Sequence, residues 1–216
     1  MKKRINEILS FVRPCKVFAD IGCDHGKIAI AALKSGKCGK VIASDISVKS
    51  LQKAIDGAES EGAEGIEFVV SDGFKDIKDE VDQAVVAGMG GEEIIKILSD
   101  ARSMPKRLIL QPMKSAEKLR RFLISSAFNV ECDRLFFDGE KYYDLIVADR
   151  LVPVYRYGEE EYRWGRDNDG DNPDFVRFLT NLIETYHAAE PYVLSESAKD
   201  DLKEKLLFAE EKFKKL

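Results

Sequence analysis

Short apolar runs and amphipathic stretches alternate along the chain from residue 15 to residue 149. "KVFAD" has the length of a buried strand, and "KIAIAALKSG" has the spacing of a helix that stops at Gly36. "KVIASD" reads as the next strand, and "KSLQKAIDGAESEG" as a helix ending at Gly62. "IEFVVSD" and "DQAVVAG" follow as strands, "EEIIKILSDA" as a helix and "KRLILQP" as a fifth strand. "SAEKLRRFLISSA" predicts a helix opened by Ser115. "DRLFFDG" and "YYDLIVADR" are joined only by "EK", too short for a crossover, so they pair as an antiparallel hairpin. The pattern predicts an α/β sheet of seven strands, mostly parallel with an antiparallel last strand, covered by helices on both faces.

The remainder reads differently. "RYGEEEYRWGRDNDGDNP" is polar and glycine-bearing and is read as a linker or loop. "PDFVRFLTNLIETYHAAE" starts on Pro173 and carries Phe175, Leu179, Leu182 and Tyr186 on one face. "SAKDDLKEKLLFAEEKFKKL" carries Leu202, Leu206 and Phe213 on a stripe, so the two form a helical hairpin. The expected organisation is a catalytic unit over 1–150 and a helical unit over 151–216. Five parallel strands closed by a hairpin is the Rossmann-like layout of a class I methyltransferase, whereas plain dinucleotide folds lack the antiparallel seventh strand.

Composition sets limits on this picture. Of 216 residues, 44% are apolar and 34% charged, and the net charge is −5, which argues against a uniformly basic nucleic-acid binder but not against a local basic patch. No apolar run is long enough to span a membrane, and the basic start "MKKRINEILSFVRPCK" lacks the apolar core of a signal peptide. The four cysteines form no C-x-x-C pair and only two histidines exist, so neither a metal cluster nor a disulfide framework is expected, and the expected compartment is the cytoplasm. "DNDGDN" imitates a calcium loop, but its glycine comes early and Phe178 stands where a bidentate glutamate is needed.

The chemistry concentrates where parallel strands end. Residues 20–26, "DIGCDHG", follow the first strand, and Gly22 and Gly26 allow close backbone approach to a ligand. Asp20 and Asp24 would repel a pyrophosphate and suit a cationic group, such as the amino-acid end of S-adenosylmethionine. Asp45 ends the second strand, where an acid accepts from ribose hydroxyls, and Asp72 with Gly73 ends the third, where it can accept from an adenine amino group. An acid after a strand is often only a turn former or helix cap; three in succession are harder to explain that way. Gly88, Met89, Gly90 and Gly91 in "AGMGGEE" form either a tight strand-to-helix turn or a space for a flat acceptor base, which Gln111 in "LILQP" could hydrogen-bond.

These motifs resemble a known family, the bacterial tRNA (adenine-N1)-methyltransferases called TrmK, which act on the adenine at tRNA position 22. The resemblance rests on "ADIGCDHG", "SD" at 44–45, "DG" at 72–73, "AGMGG", "LILQP", "LRRFL" and "EKYYDLIVA", in that order over residues 1 to 150. It implies S-adenosylmethionine as cofactor, tRNA as partner, a Rossmann-like catalytic domain and a helical C-terminal domain. The chain departs from the family pattern at Lys27, which replaces a tyrosine, Ala29, which replaces a proline, and Met113, which replaces an asparagine. The donor side is therefore better matched than the acceptor side.

On this reading Asp20, Gly22, Asp24, Gly26, Asp45, Asp72, Gly73 and Gly88 hold the cofactor, and His25 and Gln111 act beside the transferable methyl. Met89, Gly90, Lys27, Lys114, Arg120 and Arg121 contact substrate, with Lys106, Arg107, Lys118, Arg163, Trp164 and Arg166 extending the RNA surface. His25 also has a structural reading, as a side chain that orders the turn through Asp24 or backbone, and Lys27 one as a solvated helix residue. Three alternatives stay open: a small-molecule or other RNA methyltransferase, a nicotinamide enzyme suggested by "GMGGEE", and a degenerate RNA-binding member. The chain is taken as a monomer, with oligomeric state left open.

Overall fold

In a computed structural model, which describes residues 3–139, 141–150 and 156–216, the chain opens with a helix, α1 (Lys3–Ser10). Then come β1 (Cys15–Ile21), α2 (Lys27–Lys34), β2 (Cys38–Asp45), α3 (Val48–Ser60), β3 (Ile66–Val70) and β4 (Gln83–Met89). They continue through α4 (Gly91–Ser99), β5 (Arg107–Pro112), α5 (Ala116–Ser125), β6 (Asn129–Asp138) and β7 (Lys141–Asp149). α6 (Glu159–Trp164), α7 (Pro173–Ala189) and α8 (Glu196–Lys214) complete the chain.

The strands lie in the order β3-β2-β1-β4-β5-β7-β6. β1 pairs in parallel with β2 on one side and β4 on the other, so strand order reverses between β1 and β4. β7 runs antiparallel between β5 and β6, as the short connection requires. Alternate strand residues fill two cores. Ala19, Ile42, Val86 and Leu110 face one set of helices, and Phe18, Val41, Val85 and Ile109 the other.

Two elements differ from the sequence expectation. Ile5, Ile8, Leu9 and Val12 have helical spacing; α1 packs Ile8, and the segment that follows it Val12, into the core beside Phe18. Residues 156–172, expected as a linker, instead hold α6 and a buried turn. β6 is an edge strand, and its outward N–H groups need partners. Asp167 Oδ2 accepts from Asp133 N at 2.8 Å, Asn168 Oδ1 from Leu135 N at 2.8 Å, and Asp174 Oδ2 from Phe137 N at 2.9 Å. Asn172 Nδ2 returns a bond to the Leu135 carbonyl at 2.9 Å. Side chains thus close the edge in place of an eighth strand. The polar composition that reads as a linker is the composition this duty needs.

α7 and α8 form the expected hairpin, with Phe175, Leu179 and Ala209 packed on Leu135 of β6. Pro173 opens α7 and Asn172 caps it by accepting from Phe175 N. The expected division between 150 and 151 falls on residues 151–155, which lie outside the described residues. No helix among the described residues is long and apolar enough to cross a membrane.

Candidate active site

The carboxyl ends of β1, β2, β3 and β4 surround one cleft. Its larger part, about 500 Å³, is lined by Asp20, Gly22, Asp24, His25, Lys27, Asp45, Gly88, Met89 and Arg4 among others. Its smaller part, about 250 Å³, is lined by Asp45, Ile46, Asp72, Gly73, Met89 and Glu93 among others. Met89 divides the two. Its methyl lies so close over Gly22 that a Cβ there would stand 1.8 Å from it, and Gly22 has φ of +71°. The turn therefore needs glycine for both space and conformation.

Each acid is held differently. Asp20 is buried at the end of β1, and Oδ2 accepts from Ala29 N at 3.0 Å at the start of α2. Burial pushes its carboxyl up to about 7, against the opposing pull of the Ala29 bond and of Arg4. Asp45 Oδ2 accepts from Asp24 N at 3.1 Å and Oδ1 from Ser47 N at 2.8 Å, so it ties the β1 turn to the start of α3. Asp24 adopts φ of +46° in this turn and projects an exposed carboxylate. Asp72 is half-exposed, and Lys75 at 2.5 Å holds its carboxyl below the usual range. His25 Nε2 lies 3.5 Å from Asp24 Oδ2, with the ring about half-exposed at the mouth.

On the β4 side, one of the three glycines, Gly91, is explained by packing rather than by a base, because what it meets is backbone, whereas Gly90 meets only the flexible end of an exposed lysine. A Cβ on Gly91 would meet the Ser115 carbonyl oxygen at 2.4 Å, and one on Gly90 would meet Lys114 Cε at 3.1 Å. Gly88 is covered instead by a side chain from α1, with Arg4 Nη2 3.1 Å from where its Cβ would be. Lys27 and Lys114 are both exposed beside the cleft.

Several expected site residues lie elsewhere. Gln111 is fully buried and does not face the acceptor space. Its Oε1 accepts from Arg4 Nε at 2.7 Å, and its Nε2 donates to the Pro112 carbonyl and to Met113 Sδ. Arg120 is buried against Asp133 and Asp144, so it cannot meet a phosphate; it faces inward from α5 as part of the core. Arg121 is paired with Glu117 and Glu159 and lies over the Tyr162 ring. Lys118 is paired with Glu92. Arg107 begins β5 and Lys106 precedes it, which puts both at the opposite end of the sheet from the cleft. Arg163 stacks on Phe208, Trp164 packs on Phe175, and Arg166 donates to the carbonyls of Val130 and Glu131. The local sequence shows the charge of these residues but not the direction in which each points.

Arg4 is the residue the sequence reading passed over. The signal was present: apolar residues at helical spacing ahead of β1 predict a helix that docks on the sheet and carries its polar neighbours to the cleft.

Asp20, Asp24, Asp45 and Asp72 around one divided cleft suit a ligand bearing an ammonium and vicinal hydroxyls. They do not suit a pyrophosphate. Among the described residues no group of three or more His, Cys, Asp or Glu side chains is placed to share a metal ion.

A family model described as a methyltransferase domain matches residues 1–146. A Mycoplasma pneumoniae protein named provisionally as a tRNA methyltransferase is 31% identical over 196 residues, covering 87% of this chain and 91% of that one. The tRNA (adenine(22)-N(1))-methyltransferase of Bacillus subtilis is 30% identical over 154 residues, covering 69% of this chain and 65% of that one. Among solved structures, M. capricolum TrmK in complex with S-adenosyl-homocysteine superposes with a TM-score of 0.88 at 20% identity, covering 99% of this chain and 98% of that one. A family match over residues 1–146, together with a tRNA methyltransferase relative aligned over nearly the whole chain, means that the chain belongs to the methyltransferases and, within them, to the family of these tRNA methyltransferase relatives.

Proposed function

We propose that the protein transfers a methyl group from S-adenosylmethionine to N1 of the adenine at position 22 of tRNA. The observation that carries this reading is the placement of Asp20, Asp45 and Asp72 at the ends of three neighbouring strands around one divided cleft. The 30% identity to the Bacillus subtilis enzyme supplies the choice of acceptor.

The donor supplies a methyl group already activated on a sulfonium. The larger part of the cleft, with Asp20 and Asp24, suits its ammonium end. Asp45 suits the ribose hydroxyls, and Asp72 with Gly73 the adenine. Adenine N1 carries a free lone pair, so no residue has to remove a proton from it. The protein's work is to hold the acceptor in line with the donor, which can lower a barrier by ~7–11 kcal/mol. N1 must be unpaired to react, so the base is taken out of its stack. His25 stands at the mouth, where it can contact the base, and Asp24 beside it offsets the charge that develops on the ring.

The RNA surface proposed here is smaller than the sequence suggests, because several arginines are committed within the protein. Lys27 and Lys114 remain exposed beside the cleft. Residues 1–150 form the catalytic unit in this reading, and 151–216 widen the surface on which tRNA rests.

The test is methyl transfer from radiolabelled donor to bulk tRNA lacking the modification, followed by nucleoside mapping. N1-methyladenosine at position 22 is the expected product. Transfer to a small molecule but not to tRNA would overturn the acceptor assignment.

A further inference from the structure

α1 and α2 pack on the same face of the sheet, through Ile8 and through Ala29 and Ala32. Between their outer sides lies a groove of about 710 Å³. Ile5 and Leu9, one turn apart on α1, form one wall. Lys27, Ala31 and Lys34, on successive turns of α2, form the other. Glu61 closes the far end, paired with Lys34 at 2.6 Å. Between the two ends the lining is apolar, from Ile5, Leu9, Ile30 and Ala31.

The groove is continuous with the cleft, since Ile5 and Lys27 line both. Lys34 is neutralised by Glu61, but among the described residues no acid pairs with Lys27, which is exposed at the junction. His25 lines the same part of the cleft as Lys27, so whatever fills this end of the groove abuts the acceptor. The fitting occupant is therefore the acceptor's own chain. A base turned out of its stack draws the phosphates on either side of it to the cleft mouth. Lys27 opens α2 beside β1, and Lys114 follows β5 on the other side of β4, so a cation stands on each side of that mouth. The Lys27 side leads into aliphatic walls, which can pack on the face of any base.

We infer that the groove between α1 and α2 holds the nucleotide next to the target adenine, with its base against Ile5, Leu9, Ile30 and Ala31 and the linking phosphate on Lys27. The inference rests on reading the cleft as a site that methylates tRNA. It makes α1 and α2 part of the RNA surface and gives the enzyme a hold on the strand beside the reacting base.

The test is a double-mutant cycle between the full chain and unmodified tRNA. Ala31→Glu puts a carboxylate into the groove. Its tRNA affinity should fall about tenfold, while S-adenosylhomocysteine affinity stays within about twofold, which also reports folding. Two further RNAs lack the base immediately 5′ or immediately 3′ of the target adenine. One of them should bind wild type about five- to tenfold more weakly than intact tRNA, and Ala31→Glu should weaken that RNA less than about twofold further. Leu9→Ser, in the opposite wall, should show the same coupling with a smaller loss. Lys27→Ala should weaken binding and lower the slope of log affinity against log salt by about 0.7. Equal tRNA affinity in wild type and Ala31→Glu, or the same loss on intact and both abasic RNAs, would overturn the assignment. A wild-type chain that methylates no tRNA would instead overturn the acceptor reading beneath it.

Discussion

Arg120 Nε meets both carboxylate oxygens of Asp133 at 2.9 Å, with both side chains buried. Arg120 also donates to Asp144 at 2.6 Å, while Asp133 accepts from the Tyr157 hydroxyl at 2.9 Å and from Arg166 N at 3.3 Å. This cluster joins α5, β6, β7 and the segment that closes the β6 edge. Burial, with the nearby Asp144 carboxylate, pushes the Asp133 carboxyl up, and Arg120 opposes that push.

Removing one partner leaves a buried charge uncompensated, which costs about 3–5 kcal/mol. Arg120→Ala should therefore lower the melting temperature by about 10 °C. Below that temperature its tRNA affinity should match wild type. A variant with wild-type stability but weakened RNA binding would return Arg120 to the RNA surface.

The same cluster bears on truncation. A chain ending near Asp149 would lose Asp167, Asn168 and Asp174, and with them the partners of three N–H groups on an edge strand. Such a chain should aggregate or melt early rather than behave as an independent donor-binding unit. Light scattering on the truncated chain decides this: a monodisperse, cooperatively folded product would show that β6 does not need the cover.

How much was legible in the sequence follows from what each signal depends on. The succession of strands and helices, the antiparallel last strand and the placement of Asp20, Asp45 and Asp72 at strand ends were legible, because hydrophobic period and crossover length are local properties of the chain. The orientation of Arg120 was not, since one turn of α5 carries Arg120 inward and Arg121 outward and their neighbours in sequence are alike. Gln111 was correctly placed at the end of β5, but its partner Arg4 lies 107 residues away, a separation no local pattern reports. The segment 156–172 misled for a related reason: its polar side chains satisfy a strand edge rather than solvent.

Asp20 combines instability with function. Its folded carboxyl sits near 7 against 3.8 for the unfolded chain, so between these values the folded state keeps a proton that the unfolded state has lost. Its contribution to stability is therefore greatest below about pH 4 and declines as the pH rises to about 7. Donor binding has the opposite trend, because only the ionised form attracts an ammonium. Asp20→Asn should raise the melting temperature by a few degrees at pH 8 and lower donor affinity at least tenfold. Calorimetry and thermal melts at pH 6 and 8 check both; a melting temperature that falls in the variant would contradict this account.

Asp45 is predicted to act twice, as a ligand for ribose and as the tie between two turns. Asp45→Ala removes the acceptor for Asp24 N and for Ser47 N. Donor affinity should fall more than tenfold, since a hydrogen bond to a carboxylate is worth about 1.5–3 kcal/mol. Asp45→Asn, which keeps one carbonyl oxygen, should lose less. Equal affinities for wild type and Asp45→Ala, or tighter binding of NAD, would defeat the assignment of this cleft to S-adenosylmethionine.

His25 supplies the sharpest test of how the acceptor is held. The turn from Asp20 to Gly26 puts the imidazole at the mouth, 3.5 Å from the Asp24 carboxylate and about half-exposed. A base docking there can stack on the ring or donate its amino group to it, and N1 has no proton for the ring to take. His25→Ala should then slow single-turnover methylation about tenfold or more, because alignment rather than proton transfer is what it removes. Donor affinity should stay within a few fold, since the carboxylates remain. His25→Gln, which keeps a polar group at that place, should recover part of the rate. If wild type and His25→Ala turn over equally fast with donor bound, the histidine only orders the turn through Asp24. The contact with the base would then have to come from Gly88 or Met89 on the β4 side of the cleft.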